Sequence, residues 1–214
     1  MQVKDLIKII NVFDANIIFD VPKDVAQYIS AGRSPLYFTP VEGKERKQYE
    51  NQKNNQEFRS TTAAIHIIDL SVRELVNTFE CDGTGIHAFT SKVIEPYCNA
   101  GIPRDVVFTV FLFLHEIGHW MQFVNVDKKV AQFLNQDLEL EKENFDKLNA
   151  VKMQRQERMK RGNKCNLTFN ERKLLEQYMQ EYRNIPKEKD ADEFAVSKMP
   201  TVLELYTNSN LSSI

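Results

Sequence analysis

The sequence predicts a single α+β domain that is rich in helix and carries a small β-sheet. The chain has 214 residues, of which 42% are hydrophobic, and this is the length and apolar content of one globular domain. Several long stretches have helix-starting and helix-ending residues, whereas only short segments are rich in β-branched residues. No internal repeat is visible, so we expect one domain over residues 1–214.

Three short segments are predicted to be the strands of this sheet. Residues 16–21 are the first, and residues 62–70, which are rich in alanine and β-branched side chains, are the second. Residues 86–90 follow a glycine-containing turn at 81–85 and are predicted to be the third. The strands are therefore expected in the N-terminal half of the chain.

Helices are predicted between these strands. Pro22 and Gly32 have the placement of a first helical residue and a helix-ending glycine. The spacing of Ser71 and Glu74 is that of a capping box, so a helix is expected to start there. The polar stretch 44–60 has few aliphatic residues and predicts an exposed helix or a mobile loop.

The C-terminal half is predicted to be helical throughout. Pro103 marks the start of a long apolar helix that runs to about Val124. Residues 127–162 are charged, with a thin apolar stripe, and predict a solvated long helix or helical hairpin; a partner-binding arm is the alternative. The remaining predictions are a turn at 162–166, a helix capped by Thr168 or Asn170 that ends at Arg183, and a last helix from about Lys187.

Composition excludes several classes of protein. The chain has 28 basic and 30 acidic residues, so it lacks the basic excess of a non-specific nucleic-acid binder. Its three cysteines have no CxxC spacing, which favours a reducing compartment. The most apolar run, 106–114, is far shorter than the ~20 residues of a membrane span. We therefore predict a soluble, cytoplasmic protein with no nucleic-acid or membrane partner.

One motif carries chemistry: His115-Glu116-Ile-Gly-His119, which follows nine apolar residues. Residues four apart lie on one face of a helix, so His115 and His119 can present two imidazole nitrogens to one ion. Glu116 is rotated by about 100° from His115, so it borders that ion without binding it. The pattern predicts one Zn²⁺ per chain, with Glu116 as the general base. The competing interpretation is a pair of hydrogen-bonded core histidines.

A catalytic zinc ion needs a third protein ligand. The pattern with a third histidine fails, because Gln122 stands at its glycine position and Asn125 at its last histidine. Glu188 and Asp192 lie four apart in a later helix, so Glu188 can complete the ligand set while Asp192 orients a ligating histidine. An exposed acidic first helical turn is the alternative interpretation. Substitutes for the third ligand in the same segment are Asp190 and Glu193.

These two motifs resemble those of zincin metallopeptidases that use a downstream glutamate as the third ligand. The fit is closest to the ImmA/IrrE-type family: the HEIGH sequence from His115 resembles its helix motif. The stretch EKDADEFA from Glu188, which runs on to Met199-Pro200, resembles its E-x-x-A-[ND]-x-F-A…M-P pattern. The resemblance implies a zincin-like fold, zinc-dependent endopeptidase activity on a protein or peptide substrate, and a regulatory role in bacteria or phages.

Two features depart from that family. Sixty-eight residues separate His119 from Glu188, so residues 127–184 are interpreted as a long charged helical insertion between the two metal-binding helices. Neither end of the chain shows a helix-turn-helix or another fused module. A non-proteolytic regulator that binds a protein partner through 127–184 is therefore the alternative function.

The sequence leaves the roles of several other residues undecided. His66 is expected to be a packed or surface residue rather than a ligand, and His87 a strand residue rather than an oxyanion donor. An edge strand, 62–70 or 86–90, is expected to hold extended substrate by strand addition. Further candidate oxyanion donors, among which spacing does not choose, are Tyr97, Tyr178, Tyr182 and Arg183.

Overall fold

The computed structural model describes most of the chain. The predicted helix between Pro22 and Gly32 and the turn at 162–166 lie outside the described residues, as does most of the turn at 81–85. The described residues are 1–10, 12–14, 16–21, 34–52, 55–81, 85–98, 101–160 and 168–211.

A small mixed sheet has three strands, β1 (Phe19–Asp20), β2 (Leu36–Thr39) and β3 (Ala64–Ile67). The order is β1-β3-β2, with β3 parallel to β1 and antiparallel to β2. All four residues of β3 are buried, as expected for a central strand. Strands at 16–21 and 62–70 are therefore confirmed, whereas β2 was not predicted.

Helices make up the rest of the described fold, which is helix-rich α+β as predicted. Short 3₁₀ helices at Val3–Leu6 and Glu95–Tyr97 precede α1 and α5. The α-helices are α1 (Ile7–Ile10), α2 (Gly43–Asn51), α3 (Val72–Cys81), α4 (Ile86–Val93), α5 (Arg104–Asn125), α6 (Val130–Leu134), α7 (Leu138–Lys160), α8 (Phe169–Arg183) and α9 (Pro186–Leu211).

The capping signals in the sequence start two of these helices. The Ser71 hydroxyl accepts a hydrogen bond from the Glu74 N–H at 3.2 Å, and the Ser71 N–H donates back to the Glu74 carboxylate at 2.8 Å. Thr168 and Glu171 form the same reciprocal pair at the start of α8. Helix α2 has no buried residue, so the exposed helix expected within 44–60 is confirmed.

The prediction of a strand at 86–90 is wrong, because these residues begin α4. Ile86, Phe89, Thr90 and Val93 recur at three- and four-residue intervals, which is a helical face rather than a strand alternation. Gly85 adopts the left-handed backbone conformation (φ 87°) immediately before the helix, where a side chain would be strained. This backbone turn starts the helix without a side-chain cap.

The buried helix α5 is the centre of the molecule, and α9 crosses it closely. Residues 106–115 of α5 are all buried, as their continuous apolar character requires. At the crossing, a Cβ atom added to Gly118 would lie only 2.8 Å from the Ala191 Cα atom. The glycine therefore allows the two backbones to approach, and it brings the histidine motif of α5 against the acidic first turns of α9.

Among the described residues, α5 is also the helix that is long and apolar enough to cross a membrane. However, 83% of its apolar window is buried inside the protein. This burial is consistent with a soluble protein. Location in the cytoplasm stays a prediction.

Residues 127–160 and 168–184 form helices α6, α7 and α8, so the segment interpreted as an insertion is helical. Helices α7 and α8 pack side by side: Asn144 donates to the Tyr178 carbonyl at 3.0 Å, and Lys147 pairs with Glu181 at 3.1 Å. The Asp137 carboxylate, just before α7, accepts the Lys187 N–H at 3.0 Å. The segment is thereby tied to the start of α9.

Candidate metal centre

Three ligand-type side chains meet where α5 crosses α9. The Nε2 atoms of His115 and His119 lie 3.2 Å apart. One Glu188 carboxylate oxygen (Oε2) lies 3.3 Å from His115 Nε2, and the other (Oε1) lies 3.4 Å from His119 Nε2. All three side chains are buried, and together they form a group that could hold a metal ion. The structure thus brings together the three residues that the sequence motifs single out.

The geometry of this group fits a tetrahedral zinc ion. With metal–ligand distances of about 2.0–2.1 Å, tetrahedral ligand atoms lie roughly 3.3–3.4 Å from one another. The two histidine Nε2 atoms, 3.2 Å apart, are close to this spacing, and each has a different Glu188 oxygen at 3.3 or 3.4 Å. Two imidazoles with one carboxylate is also a donor set that catalytic zinc sites use, with the fourth position left open.

Both imidazole rings are oriented by hydrogen bonds on the side away from this group. His115 Nδ1 lies 2.9 Å from the Asp192 carboxylate, and His119 Nδ1 lies 2.9 Å from the Gln122 side-chain carbonyl. The Gln122 amide in turn donates to the Lys187 carbonyl at 2.7 Å. An Nδ1–H bonded to these acceptors leaves Nε2 as the nitrogen that faces the group, and it is the atom that would bind a metal ion in place of a proton.

Asp192 therefore stands where the sequence motif predicts, whereas the role of Gln122 was missed. From the sequence alone, Gln122 is only the residue that breaks the three-histidine pattern. Its spacing of three residues after His119 places it on the same helical face, and this was the available signal. The bond to Lys187 on a different helix was not visible in the sequence.

Arg183, the last residue of α8, contributes a buried positive charge beside the histidines. Its Nη1 atom lies 2.9 Å from the Asp192 carboxylate and 3.0 Å from His115 Nδ1. Burial and this guanidinium both lower the pKa of His115, but hydrogen bonds with Asp192 and Glu188 outweigh them and raise it from 6.5 to about 9. Burial likewise opposes ionisation of Glu188, but the two histidines hold its pKa well below the usual range.

Glu116 lies beside the metal-binding group without belonging to it. Its carboxylate accepts a hydrogen bond from the Phe38 backbone N–H at 2.7 Å, which joins α5 to strand β2. One oxygen of the carboxylate is thereby held by the strand. The side chain is half-buried and faces the cavity described next.

A cavity of about 380 Å³ opens onto His115, Glu116, His119 and Glu188. Strand β2 forms one wall through Leu36 and Phe38. The segment 127–184 forms another, with the lining residues Phe133, Leu134, Glu141, Tyr182 and Arg183. This helical segment is therefore part of the site and not a peripheral addition to it.

Only some of the other candidate residues lie at the site. Asp190 and Glu193 are exposed on α9, so neither replaces Glu188 in the group. Of the candidate oxyanion donors, Tyr182 and Arg183 line the cavity. Tyr97 instead donates to the Val196 carbonyl at 3.3 Å, away from the cavity.

The two remaining histidines lie elsewhere. His66 is buried in β3, with Nδ1 2.9 Å from Asp20 and Nε2 2.8 Å from Glu42, so both ring nitrogens contact carboxylates. These three residues form a second group with ligand-type atoms near one another, in which both carboxylates are partly exposed. His87 lies in α4, where its Nε2 atom is 3.5 Å from Glu80.

Both segments expected to offer a substrate-binding edge are corrected by the fold. Residues 62–70 contain the central strand β3, which has partners on both sides. Residues 86–90 are helical and offer no strand edge. The edge strand beside the site is β2, and its Phe38 N–H points away from β3 toward Glu116.

Comparison of the chain with protein-family models, with curated proteins and with solved structures gives no match. The resemblance to zincin peptidases therefore stays a prediction from the residues of the two motifs.

Proposed function

We propose that the protein is a zinc-dependent endopeptidase of the zincin type, similar in its motifs to the ImmA/IrrE-type family. One observation carries this proposal. Two buried imidazole nitrogens 3.2 Å apart and a buried carboxylate with an oxygen 3.3–3.4 Å from each of them lie in the wall of an open cavity, next to Glu116, whose carboxylate is not part of the group. A purely structural pair of core histidines would need neither the third ligand nor the cavity.

The chain supplies the base that such a reaction needs. When bound, a zinc ion supplies a Lewis acid that lets a water molecule lose a proton near neutral pH. Glu116 takes that proton and later delivers it to the leaving amine. The Phe38 N–H holds one carboxylate oxygen of Glu116, so the other oxygen is available for proton transfer.

Tyr182 is proposed to stabilise the negative charge that develops on the carbonyl oxygen. Burial, and after it the neighbouring Glu188 carboxylate, raises the pKa of Tyr182 well above 10, so its phenol keeps the proton that it donates. Arg183 lines the same cavity, but its Nη1 atom is already bound to Asp192.

The substrate is proposed to be a polypeptide in extended conformation. Leu36 and Phe38 of β2 line the cavity, and this strand has β3 on one side only in the described sheet. An extended peptide can add to this edge through backbone hydrogen bonds, except at the Phe38 N–H, which already donates to Glu116. That placement would bring its carbonyl groups past Glu116.

The decisive experiment is the substitution Glu116→Gln, with a degenerate peptide library as substrate and mass spectrometry to find cleaved bonds. Glutamine keeps the shape of glutamate but cannot take the proton, so cleavage should fall by about 10²–10⁴-fold. Zinc content and melting temperature should stay at the wild-type values, because Glu116 is not in the ligand group. Loss of zinc by this variant, or full retention of cleavage, would refute the proposed role.

A non-proteolytic regulator that binds a partner through 127–184 is the second candidate function. It is favoured by large apolar side chains that are exposed on α7 and α8: Leu140, Phe145, Met153 and Phe169. The two candidates make opposite predictions for Glu116→Gln. A regulator of this kind would keep every binding activity when that carboxylate is lost.

A further inference from the structure

A second cavity, of about 390 Å³, adjoins the site cavity along helix α7. The two cavities share Glu141 and Tyr182 in their walls. We propose that this second cavity binds a large apolar side chain of the substrate polypeptide, of the leucine, methionine or phenylalanine class. The inference rests on the proposed peptidase function. The lining residues are Leu138, Glu141, Lys142, Phe145, Leu148 and Tyr182.

The chemistry of the lining favours an apolar occupant. Leu138, Phe145 and Leu148 recur at helical spacing on one face of α7, with Tyr182 of α8 beside them. Leu138 is 46% exposed and Phe145 is 61% exposed, so water covers apolar surface that an apolar side chain would bury favourably. No other described element covers these two side chains.

The charged residue on the shared wall does not oppose such an occupant. Glu141 is ion-paired with Lys187, whose ammonium group also lies 5.0 Å from the centre of the Phe133 ring. The pair is therefore close to neutral and is held in place by its own contacts. The pair therefore presents no net charge to either cavity.

The shared wall of the two cavities points to an occupant that is part of the substrate. Because Glu141 and Tyr182 line both cavities, a polypeptide that leaves the site cavity past these side chains reaches the second cavity next. We therefore expect a preference for a large apolar residue at one fixed position of the substrate.

The first test of the second cavity measures binding and needs no peptide cleavage. The probe is N-acetyl-L-phenylalaninamide, titrated into the wild-type protein while the methyl NMR signals of Leu138 and Leu148 are followed, with N-acetylglycinamide as the comparison. We expect saturable shifts with the aromatic probe only. Phe145→Ser should weaken binding by about tenfold or more, within the discrimination one apolar contact gives. The matched control is Phe169→Ser, because Phe169 is 80% exposed on α8 and does not line the cavity.

The second measurement is the cleavage profile of the zinc-loaded protein on the degenerate peptide library. Wild type and Phe169→Ser should favour a large apolar residue at one position, and Phe145→Ser should lose that preference while it still cleaves. Absence of saturable probe binding, equal behaviour of the two serine variants, or cleavage without such a position overturns the inference. If the probe binds as expected but the zinc-loaded protein cleaves no peptide, the peptidase proposal fails, and the assignment of this cavity to a substrate fails with it.

Discussion

Two regions of the molecule depart from the usual pattern, in which ionisable side chains are exposed and large apolar side chains are buried. They are the crossing of α5 and α9 and the pair formed by α7 and α8. At the crossing, ionisable side chains are buried: His115, His119 and Glu188 lie among the apolar residues of the core. In the α7–α8 pair, large apolar side chains are exposed, including Phe145 and Phe169. A folded protein rarely does either without a reason, since buried charges cost free energy and exposed apolar surface lowers solubility.

The difference indicates which kind of partner the side chains of each region need. Buried ionisable groups persist only when partners satisfy them, and at the crossing Asp192 and Gln122 hold the histidine Nδ1 atoms while Arg183 pairs with Asp192. The Nε2 atoms and Glu188 form the group that could hold a metal ion. In the described part of the α7–α8 pair, Phe145 and Phe169 are exposed to solvent, so a partner for them is expected to come from outside the chain.

The largest expected effect concerns the third ligand at the crossing. Glu188→Ala removes one of the three proposed metal ligands, so zinc affinity should fall by more than the ~10–100-fold that follows loss of an orienting residue. Asp190→Ala is the matched control, because Asp190 is exposed on the same helix. Competition with a fluorescent zinc chelator measures both. Equal losses for the two variants would mean that Glu188 is not a ligand.

A smaller effect is expected when an orienting residue is lost. Gln122→Ala leaves all three ligand atoms but frees the His119 ring, whose Nδ1 atom is held by the Gln122 carbonyl at 2.9 Å. Zinc affinity should fall by about 10–100-fold in the same competition assay, and Gln122→Glu, which keeps an acceptor, should recover part of it. Unchanged affinity in Gln122→Ala would show that the ring is positioned by packing alone.

The closeness of the two helices at the crossing can be tested by packing. Gly118→Ala forces a methyl group to within 2.8 Å of the Ala191 backbone, so the free energy of unfolding should fall by about 1–3 kcal/mol. This loss should appear although alanine is by itself the better helix former by about 1 kcal/mol. Urea unfolding of Gly118→Ala, Ala191→Gly and the double variant measures the coupling. A more stable Gly118→Ala protein would contradict the close crossing.

The same two regions show how far the sequence alone predicts the site. Two i,i+4 pairs, His115 with His119 and Glu188 with Asp192, were sufficient to predict which residues share a helical face. The structure places the two pairs against each other. The Gln122 bond to Lys187 and the Arg183 contact with Asp192 were not predicted, because each joins different helices and has no local periodicity.

The fold was predicted correctly where the signals within one segment are strong. It was missed where the structure of a segment depends on pairing with another strand. Capping boxes and the apolar run of α5 marked helices correctly. Strand β2 was missed because it has only four residues, with one buried and three partly buried, so it shows no clear alternation. It is a strand because it pairs with β3. The opposite error, at α4, arose from residues typical of strands that recur at helical intervals after Gly85.

The smallest expected effect lies in the α7–α8 pair, and it should leave the metal site untouched. Glu171 accepts the Thr168 N–H at 2.6 Å and pairs with Arg158 at 2.9 Å. The Thr168 backbone hydrogen bond is the main cause that holds the pKa of Glu171 below its usual 4.5, while burial opposes it. Because the folded-state pKa is depressed, this stabilisation is present above pH 4.5 and is lost as the pH falls through the folded value.

Glu171→Gln should therefore lower the free energy of unfolding at pH 7 by about 0.3–1 kcal/mol, because glutamine can still cap the helix but carries no charge for Arg158 or for the helix N-terminus. The difference from wild type should shrink as the pH falls from 4.5 through the folded-state pKa, below which the carboxylate is protonated in both the folded and the unfolded wild-type chain. Urea unfolding in the presence of a chelator measures this difference without any contribution from bound metal. Zinc affinity at pH 7 should equal that of wild type. A Glu171→Gln protein that binds zinc more weakly would show that the α7–α8 pair controls the crossing, and the two regions would then be one functional unit.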